Sequence, residues 1–248
     1  MPQRVPGRKT VSAHPRDDPA TVLTWMQNGE SFLAEQLAGL DLSAASLLPG
    51  WTRAQVAAHL ASNARALGKL LHWARTGQET PMYPSPEARG REIDESAAHP
   101  DDEIRAAVTK AAEQLSAAVG SLPEQAWAAR VRSALGRDIP AAEVPWLRVR
   151  EAWIHAVDLG GRVWFDAFPS DLVDALLSEV CGALGSRHGC PDVLLVPQDR
   201  EHTWAIGEHV PDAARAEGTA ADLLGWTIGR PHPGRGVPAG RPPLPRWL

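Results

Sequence analysis

The spacing of apolar residues predicts four long amphipathic helices in the first two thirds of the chain. They span approximately residues 21–40, 52–77, 101–122 and 142–159. In each segment apolar side chains recur every three or four positions, as they do on the buried face of a helix. Thr52 and Gln55 form a capping box at the start of the second helix, and Gly77 marks its end. Four such helices predict a four-helix bundle.

The pattern changes after Pro169 and predicts a smaller unit of mixed α and β structure. Helices and short strands are expected at 171–184, 192–197, 203–207 and 219–228. We therefore predict an α+β fold, with a helical bundle at 19–168 and a small α+β domain at 169–248. Residues 1–18 are rich in Pro, Arg and Asp and are expected to be disordered. The irregular tail is expected to pack back on the body through Trp247 and Leu248.

Composition narrows the class of protein. The 248 residues carry a net charge of -5 without a dense Lys/Arg cluster, which argues against nucleic acid as a partner. The two cysteines, Cys181 and Cys190, do not make a disulfide scaffold. No apolar run approaches the roughly 20 residues of a membrane helix, and the N-terminus lacks the apolar core of a signal peptide. We expect a soluble cytoplasmic protein.

Three residues on the predicted helices suggest a metal site. Glu151 and His155 are spaced i and i+4, which places them on one helix face, one turn apart. That face is otherwise apolar, so both side chains need a partner, and a divalent metal satisfies both. His59, on the apolar face of the second helix, supplies a third ligand. Two His and one Glu are the ligand set of a catalytic zinc site with an open position.

Each of these residues also has a structural interpretation. A lone histidine on an apolar helix face, such as His59, is more often a hydrogen-bonded core residue than a ligand. Glu151 would be a surface ion-pair residue if it paired with a neighbouring arginine. His155 and Asp158, spaced i and i+3, would be a simple hydrogen-bonded pair. The metal interpretation includes Asp158 as well, since ligating histidines often donate their second ring nitrogen to a carboxylate.

Several stretches of the chain match those of a known family. They are residues Leu48–Leu60, Tyr83–Ile93, Arg150–Leu159, Gly218–Arg230 and the closing Pro-Leu-Pro-Arg-Trp-Leu. In these stretches the sequence resembles the mycothiol-dependent maleylpyruvate isomerase family, whose N-terminal domain is a DinB-like metal-binding bundle. The resemblance covers nearly everything from about residue 20 onward. It departs most near 202–217, where residues 212–217 differ from the strand usual there.

The resemblance implies zinc on His59, Glu151 and His155, mycothiol as the thiol, and a role in aromatic catabolism such as gentisate degradation. The implied reaction converts maleylpyruvate, or a similar unsaturated oxo-dicarboxylate, to fumarylpyruvate by reversible thiolate addition. Zinc lowers the pKa of a bound thiol. Arg89, in the loop after the second helix, and Arg230 match family arginines and suit a dicarboxylate. We expect a monomer.

Other interpretations stay open at this stage. Arg91 is an alternative to Arg89, while Arg89 and Arg230 have structural alternatives as a solvated loop residue and a helix C-terminal charge. Tryptophans 51, 73 and 153 would line a pocket for the sugars of the thiol or fill the core. A mycothiol S-transferase acting on an electrophilic metabolite or xenobiotic would use the same site. A non-catalytic metal-binding or stress-response module is a third possibility, disfavoured by the open zinc position.

Overall fold

The computed structural model describes residues 15–208, 213–232, 234 and 241–247. Within them, the helices are α1 (Pro19–Leu37), α2 (Arg53–Thr76), α3 (Pro86–Ala97), α4 (Asp101–Gly120), α5 (Val144–Asp158), α6 (Ser170–Gly185) and α7 (Ala220–Thr227). The strands are β1 (Arg130–Arg132), β2 (Asp138–Pro140), β3 (Val193–Pro197), β4 (Trp204–Ile206) and β5 (Ala214–Gly218). Short 3-10 helices lie at Pro15–Asp17, Glu124–Ala128, Ala141–Glu143 and Phe165–Ala167. The predicted α+β fold is confirmed.

Four helices form the bundle. Helix α1 packs against α5, and α2 packs against both α4 and α5. The close approach of α1 to α5 depends on Gly29, because a Cβ there would lie 2.6 Å from Nε1 of Trp153. A buried ion pair joins the same helices: the guanidinium of Arg148 donates to both carboxylate oxygens of Glu30, at 2.6 and 2.9 Å. Arg148 also donates to the backbone oxygen of Leu60 at 2.9 Å, which ties α5 to α2.

The first helix begins and ends differently from the prediction. The side chain of Asp18 caps α1 by accepting hydrogen bonds from the backbone N–H groups of Ala20 and Thr21. Residues 15–18, which composition predicts to be disordered, are therefore ordered, while residues 1–14 lie outside the described residues. Helix α1 stops at Leu37 rather than Leu40, since Gly39 adopts a left-handed backbone with φ 72°.

The C-terminal part builds a three-stranded sheet on two helices. The strand order is β4-β3-β5, with β4 antiparallel and β5 parallel to β3. One face of β3 is buried, and α6 packs against β4 and α7. Buried apolar side chains continue without a break from the bundle into this region. The division of the chain into domains at residue 168 stays a prediction.

The C-terminal tail packs against the body, as its sequence predicts for Trp247. That side chain is 5% exposed, and the guanidinium of Arg150 lies 5.5 Å from the centre of its ring. Arg187 donates hydrogen bonds to the backbone oxygens of Arg246 and Trp247. Leu248 lies outside the described residues. The tail thus ends beside α5, the helix that carries two candidate ligands.

None of the helices in the described part of the chain is both long and apolar enough to cross a membrane.

Candidate metal centre

The first candidate ligand, His59, lies on the buried face of α2. The predicted capping box starts this helix: Thr52 accepts a hydrogen bond from the Gln55 backbone, and Oε1 of Gln55 accepts one from the Thr52 N–H at 2.9 Å. Gly77 ends it, as the sequence predicts, and adopts a left-handed conformation with φ 73°. His59 is 5% exposed, and the edge of its ring packs against Trp51 with the ring centres 6.0 Å apart. The helix therefore holds the imidazole at a defined depth.

The second and third candidate ligands come from α5, one helical turn apart. Nε2 of His59 lies 2.9 Å from Oε2 of Glu151 and 3.2 Å from Nε2 of His155. Nε2 of His155 lies 3.3 Å from Oε2 of Glu151. The three ligand atoms are all within 4.8 Å of one another. The structure thus brings together the three residues on which the predicted site depends.

Burial and hydrogen bonding set the charges of this cluster. Burial opposes the charge on Glu151, but hydrogen bonds from His155 and His59 outweigh it and hold the carboxyl pKa well below its usual range. Burial lowers the pKa of His59. Burial also acts to lower the pKa of His155, but hydrogen bonds to Asp158 and Glu151 prevail and raise it to about 9. Glu151 is anionic, His59 neutral and His155 cationic at neutral pH.

A buried carboxylate orients His155 and links it to the C-terminal part. Nδ1 of His155 donates to Oδ2 of Asp158 at 2.8 Å, and Asp158 is completely buried. The guanidinium of Arg230 binds both Asp158 oxygens at 2.9 Å and also donates to the backbone oxygen of Ile228. Burial raises the pKa of Asp158, but His155 and Arg230 together bring it below its usual value. Sequence reasoning expects Arg230 to anchor substrate; the structure places it on Asp158.

The backbone around Arg230 is fixed by a glycine on α7. The Arg230 N–H donates to the backbone oxygen of Gly225 at 2.7 Å. A Cβ at Gly225 would lie 2.7 Å from the backbone oxygen of Arg230 and 2.9 Å from the Trp164 ring. Only glycine therefore allows this approach. Three of the five guanidinium N–H donors of Arg230 are used by Asp158 and Ile228, which leaves two for other partners.

Arg89 reaches the site from the other side of the cluster. It lies in the first half of α3, not in a loop as the sequence predicts, because Ser85 caps a helix that Pro86 begins. Its Nη2 donates to Nδ1 of His59 at 3.0 Å. Arg91, the alternative, is exposed. Both predicted arginines therefore contact the cluster, Arg89 directly and Arg230 through Asp158.

Comparison with known proteins identifies the family. The mycothiol maleylpyruvate isomerase N-terminal domain matches residues 26–160, more than half of the chain. A crystal structure of the mycothiol-dependent maleylpyruvate isomerase superposes with a TM-score of 0.86 and 34% identity, covering 95% of this chain and 100% of that one. The chain belongs to the mycothiol-dependent maleylpyruvate isomerase family. A crystallised histidine-to-alanine mutant of that isomerase matches with the same TM-score, identity and coverage. No curated protein sequence matches.

The residues of this isomerase-family site fit a divalent metal. Three nitrogen and oxygen donors converge, and Asp158 fixes the tautomer in which Nε2 of His155 can bind a metal. His59 differs, because Arg89 donates to its Nδ1 and its proton therefore lies on Nε2, toward Glu151. Metal binding at that Nε2 requires the proton to move, and the guanidinium of Arg89 must then turn away. The metal and the Arg89–His59 hydrogen bond therefore compete.

The structural interpretations of the ligands can now be compared with their contacts. Glu151 is not a surface ion-pair residue of its arginine neighbours, because Arg148 binds Glu30 and Arg150 binds Glu179 at 2.8 Å. His59 is a hydrogen-bonded buried histidine, and its partners are the other candidate ligands. His155 and Asp158 do form the predicted hydrogen bond. Each structural interpretation therefore either fails or leads back to the same cluster.

The three tryptophans divide between core and site. Trp153 belongs to the core: its Nε1 donates to the backbone oxygen of Trp25 at 2.8 Å, and its ring stacks on Phe32 at 4.8 Å. Trp73 is partly buried and packs against the same core. Trp51 contacts the His59 ring and remains partly exposed at the site. It is the one of the three placed to contact a bound ligand.

Neither cysteine is suited to supply a thiolate. Both are free. Burial raises the pKa of the Cys181 thiol to about 12 and also raises that of Cys190. Both thiols therefore stay protonated at neutral pH. A family reaction that needs a thiolate must take the thiol from outside the chain.

Proposed function

We propose that the protein is a zinc- and mycothiol-dependent isomerase that converts maleylpyruvate, or a similar unsaturated oxo-dicarboxylate, to its trans isomer. The observation that carries this proposal is the convergence of His59, Glu151 and His155. Arg89 contacts His59, and Arg230 binds Asp158 behind His155. The family membership supports the reaction class. The unreactive cysteines support an external thiol.

His59, Glu151 and His155 would hold the metal, which supplies a Lewis-acid centre able to keep a bound thiol as its thiolate. The side chains of Glu151 and His155 are 23% and 16% exposed, which leaves access to the centre. Asp158 keeps the Nδ1 proton of His155 in place and so directs its Nε2 to the centre. These residues provide one carboxylate charge against a divalent cation, which leaves a positive site.

The arginines suit a dianionic substrate. With a metal held on Nε2 of His59, the guanidinium of Arg89 would no longer donate to Nδ1 and would be available to a substrate carboxylate. Arg230 keeps its bond to Asp158 and has two N–H donors left for a second carboxylate. Holding both ends of the substrate while its central bond rotates is what a cis–trans isomerase requires.

A mycothiol S-transferase is the second candidate. It is favoured by the commitment of Arg230 to Asp158, which limits its reach for a substrate carboxylate. The two reactions differ in whether the thiol leaves the adduct again. In either case we expect a cytoplasmic protein, because both unpaired cysteines suit a reducing compartment. We also expect it to be a monomer.

The test is an absorbance assay with purified protein, zinc, mycothiol and maleylpyruvate. We expect trans product only when zinc and mycothiol are both present. The control is a Cys181→Ser, Cys190→Ser variant, which should keep full activity because its thiols are not used. Isomerisation without mycothiol, or after complete removal of the metal, would contradict the proposal. A stable thiol adduct detected by mass spectrometry, without trans product, would establish the transferase instead.

A further inference from the structure

Two buried hydroxyl groups beside the candidate metal centre make no hydrogen bond of ordinary geometry among the described residues. They are Oη of Tyr83 and Oγ of Ser62. Buried hydroxyls without partners are rare because they lose hydrogen bonds to water without replacement. Such a group next to an active centre indicates a partner that arrives with the ligand. Tyr83 is also the single tyrosine in the sequence.

Contacts with Arg89 and Ser62 place Tyr83 beside the centre. The guanidinium carbon of Arg89 lies 5.5 Å from the centre of the Tyr83 ring, and the same guanidinium donates to Nδ1 of His59. Ser62 follows His59 by three positions on α2, so it lies on the same helix face. Burial raises the pKa of the Tyr83 hydroxyl and outweighs the neighbouring Arg89 guanidinium and Ser62 hydroxyl, which act to lower it. The hydroxyl therefore stays protonated and can donate.

The proposed isomerisation needs a donor of this kind. When a thiolate adds to the substrate, its electron pair forms a carbon–sulfur bond, and the π electrons of the carbon–carbon double bond move into the conjugated carbonyl. The carbonyl oxygen becomes an enolate oxygen and carries the negative charge. After rotation about the new single bond, the charge returns, the carbon–sulfur bond breaks and the thiolate leaves. No oxidant and no net proton are consumed.

The other polar groups of the site already have partners or roles. His59, Glu151 and His155 are committed to the metal, and Asp158 can only accept. We infer that the hydroxyl of Tyr83 donates a hydrogen bond to the substrate carbonyl oxygen and stabilises the enolate that forms there. This inference rests on the proposed isomerisation and adds a catalytic residue to it.

The first test compares Tyr83→Phe with the control variant Ser121→Ala, which removes an exposed hydroxyl that donates to the backbone oxygen of Ala117 on α4. Loss of one donor to a developing oxyanion lowers kcat by about 100-fold or more. We expect that loss in Tyr83→Phe, with KM changed little and zinc content and melting temperature kept. Ser121→Ala should stay within about threefold of the unsubstituted protein, since it removes no hydrogen-bond donor at the site.

The second test uses the unsubstituted sequence. Because the chain has a single tyrosine, labelling with 3-fluorotyrosine gives one fluorine resonance, from Tyr83. Titrating the zinc- and mycothiol-loaded protein with fumarylpyruvate, the expected product, should shift this resonance saturably. The shift should not occur with fumarate, which has the carboxylates but no ketone.

The outcomes separate the two levels of the proposal. If the unsubstituted protein does not isomerise maleylpyruvate, the proposed function fails and this inference fails with it. If it does so and Tyr83→Phe keeps its kcat, only the inference is overturned. Loss of zinc in Tyr83→Phe, or a resonance that product leaves unmoved, also overturns it.

Discussion

Replacing Asp158 by Asn removes the charge that connects His155 to Arg230. In the structure Oδ2 of Asp158 accepts from both His155 and Arg230, and Oδ1 accepts from Nε of Arg230. An asparagine oxygen can replace one of these atoms, and its NH2 group then faces a donor. The guanidinium is left without its counter-ion beside a buried amide, so we expect losses in both stability and metal affinity.

Both effects can be estimated. Removing one partner of a buried ion pair lowers the free energy of unfolding by about 3–5 kcal/mol. Arg230 keeps 23% of its side chain exposed and can turn toward water, which favours the lower end, about 3 kcal/mol. For a protein of this size that corresponds to a fall in Tm of roughly 6–12 °C. Loss of the carboxylate behind a ligating histidine lowers metal affinity by about 10–100-fold.

The assay combines thermal unfolding of chelator-treated protein with competitive zinc titration. The matched control is Asp174→Asn, which breaks the 2.8 Å ion pair between Asp174 on α6 and Arg200, neither of which lies on a ligand-bearing helix. The control should lose stability but keep its zinc affinity. If Asp158→Asn binds zinc as tightly as the unsubstituted protein, Asp158 does not orient His155 and the reasoning is wrong.

Three further predictions concern the metal ligands and their support. Because the pKa of His155 is raised from 6.5 to about 9, its contribution to the stability of chelator-treated protein is full below pH 6.5 and is lost as pH rises through about 9. Zinc binding at pH 7.5 should accordingly release a proton, measurable by calorimetry in two buffers of different ionisation enthalpy; equal observed heats in the two buffers would contradict this. Nitrogen-15 NMR should show the His59 proton on Nε2 without metal and on Nδ1 with zinc, as Arg89 turns away; an unchanged tautomer would refute the competition. Gly225→Ala should displace Arg230 and weaken zinc binding, and unaltered affinity would show that the close backbone approach is not needed.

The sequence allowed the ligand-bearing helices to be predicted because their signals are local. The Thr52–Gln55 capping box and Gly77 bound α2 correctly, and the spacing of Glu151 and His155 is sufficient to place both on one face. These features depend on residues within two helical turns of one another. Local sequence signals are therefore sufficient to predict each helix that carries a candidate ligand.

Elements held by distant contacts were missed. Ser85 caps helix α3 well, but Ile93 is the one buried residue in this helix. The helix therefore lacks the repeating apolar positions from which helices are predicted. Strand β5 consists of Ala, Arg, Ala, Glu and Gly, which favour strands weakly; its place depends on pairing with β3. The β1–β2 hairpin has strands of three residues each, too short for a periodic pattern.

The partner of Arg230 could not be predicted either. Asp158 lies 72 positions earlier in the chain, and nothing local in either segment indicates the pairing. The orphan hydroxyl of Tyr83 is likewise a property of its surroundings, since a tyrosine before a proline usually marks only a turn. Such residues become candidates when burial and hydrogen bonding are known.

The pairing of Arg230 with Asp158 has a consequence for how this architecture can change during evolution. The bundle carries a fully buried carboxylate whose counter-charge is supplied by the segment after α7. A descendant that lost the C-terminal part would keep a buried anion without its cation, behind a metal ligand. Gene truncation or domain exchange would therefore be tolerated only with a compensating change at position 158 or a new cation beside it. The two parts of the chain are therefore constrained to evolve together, and this ion pair adds an electrostatic constraint to the packing between them.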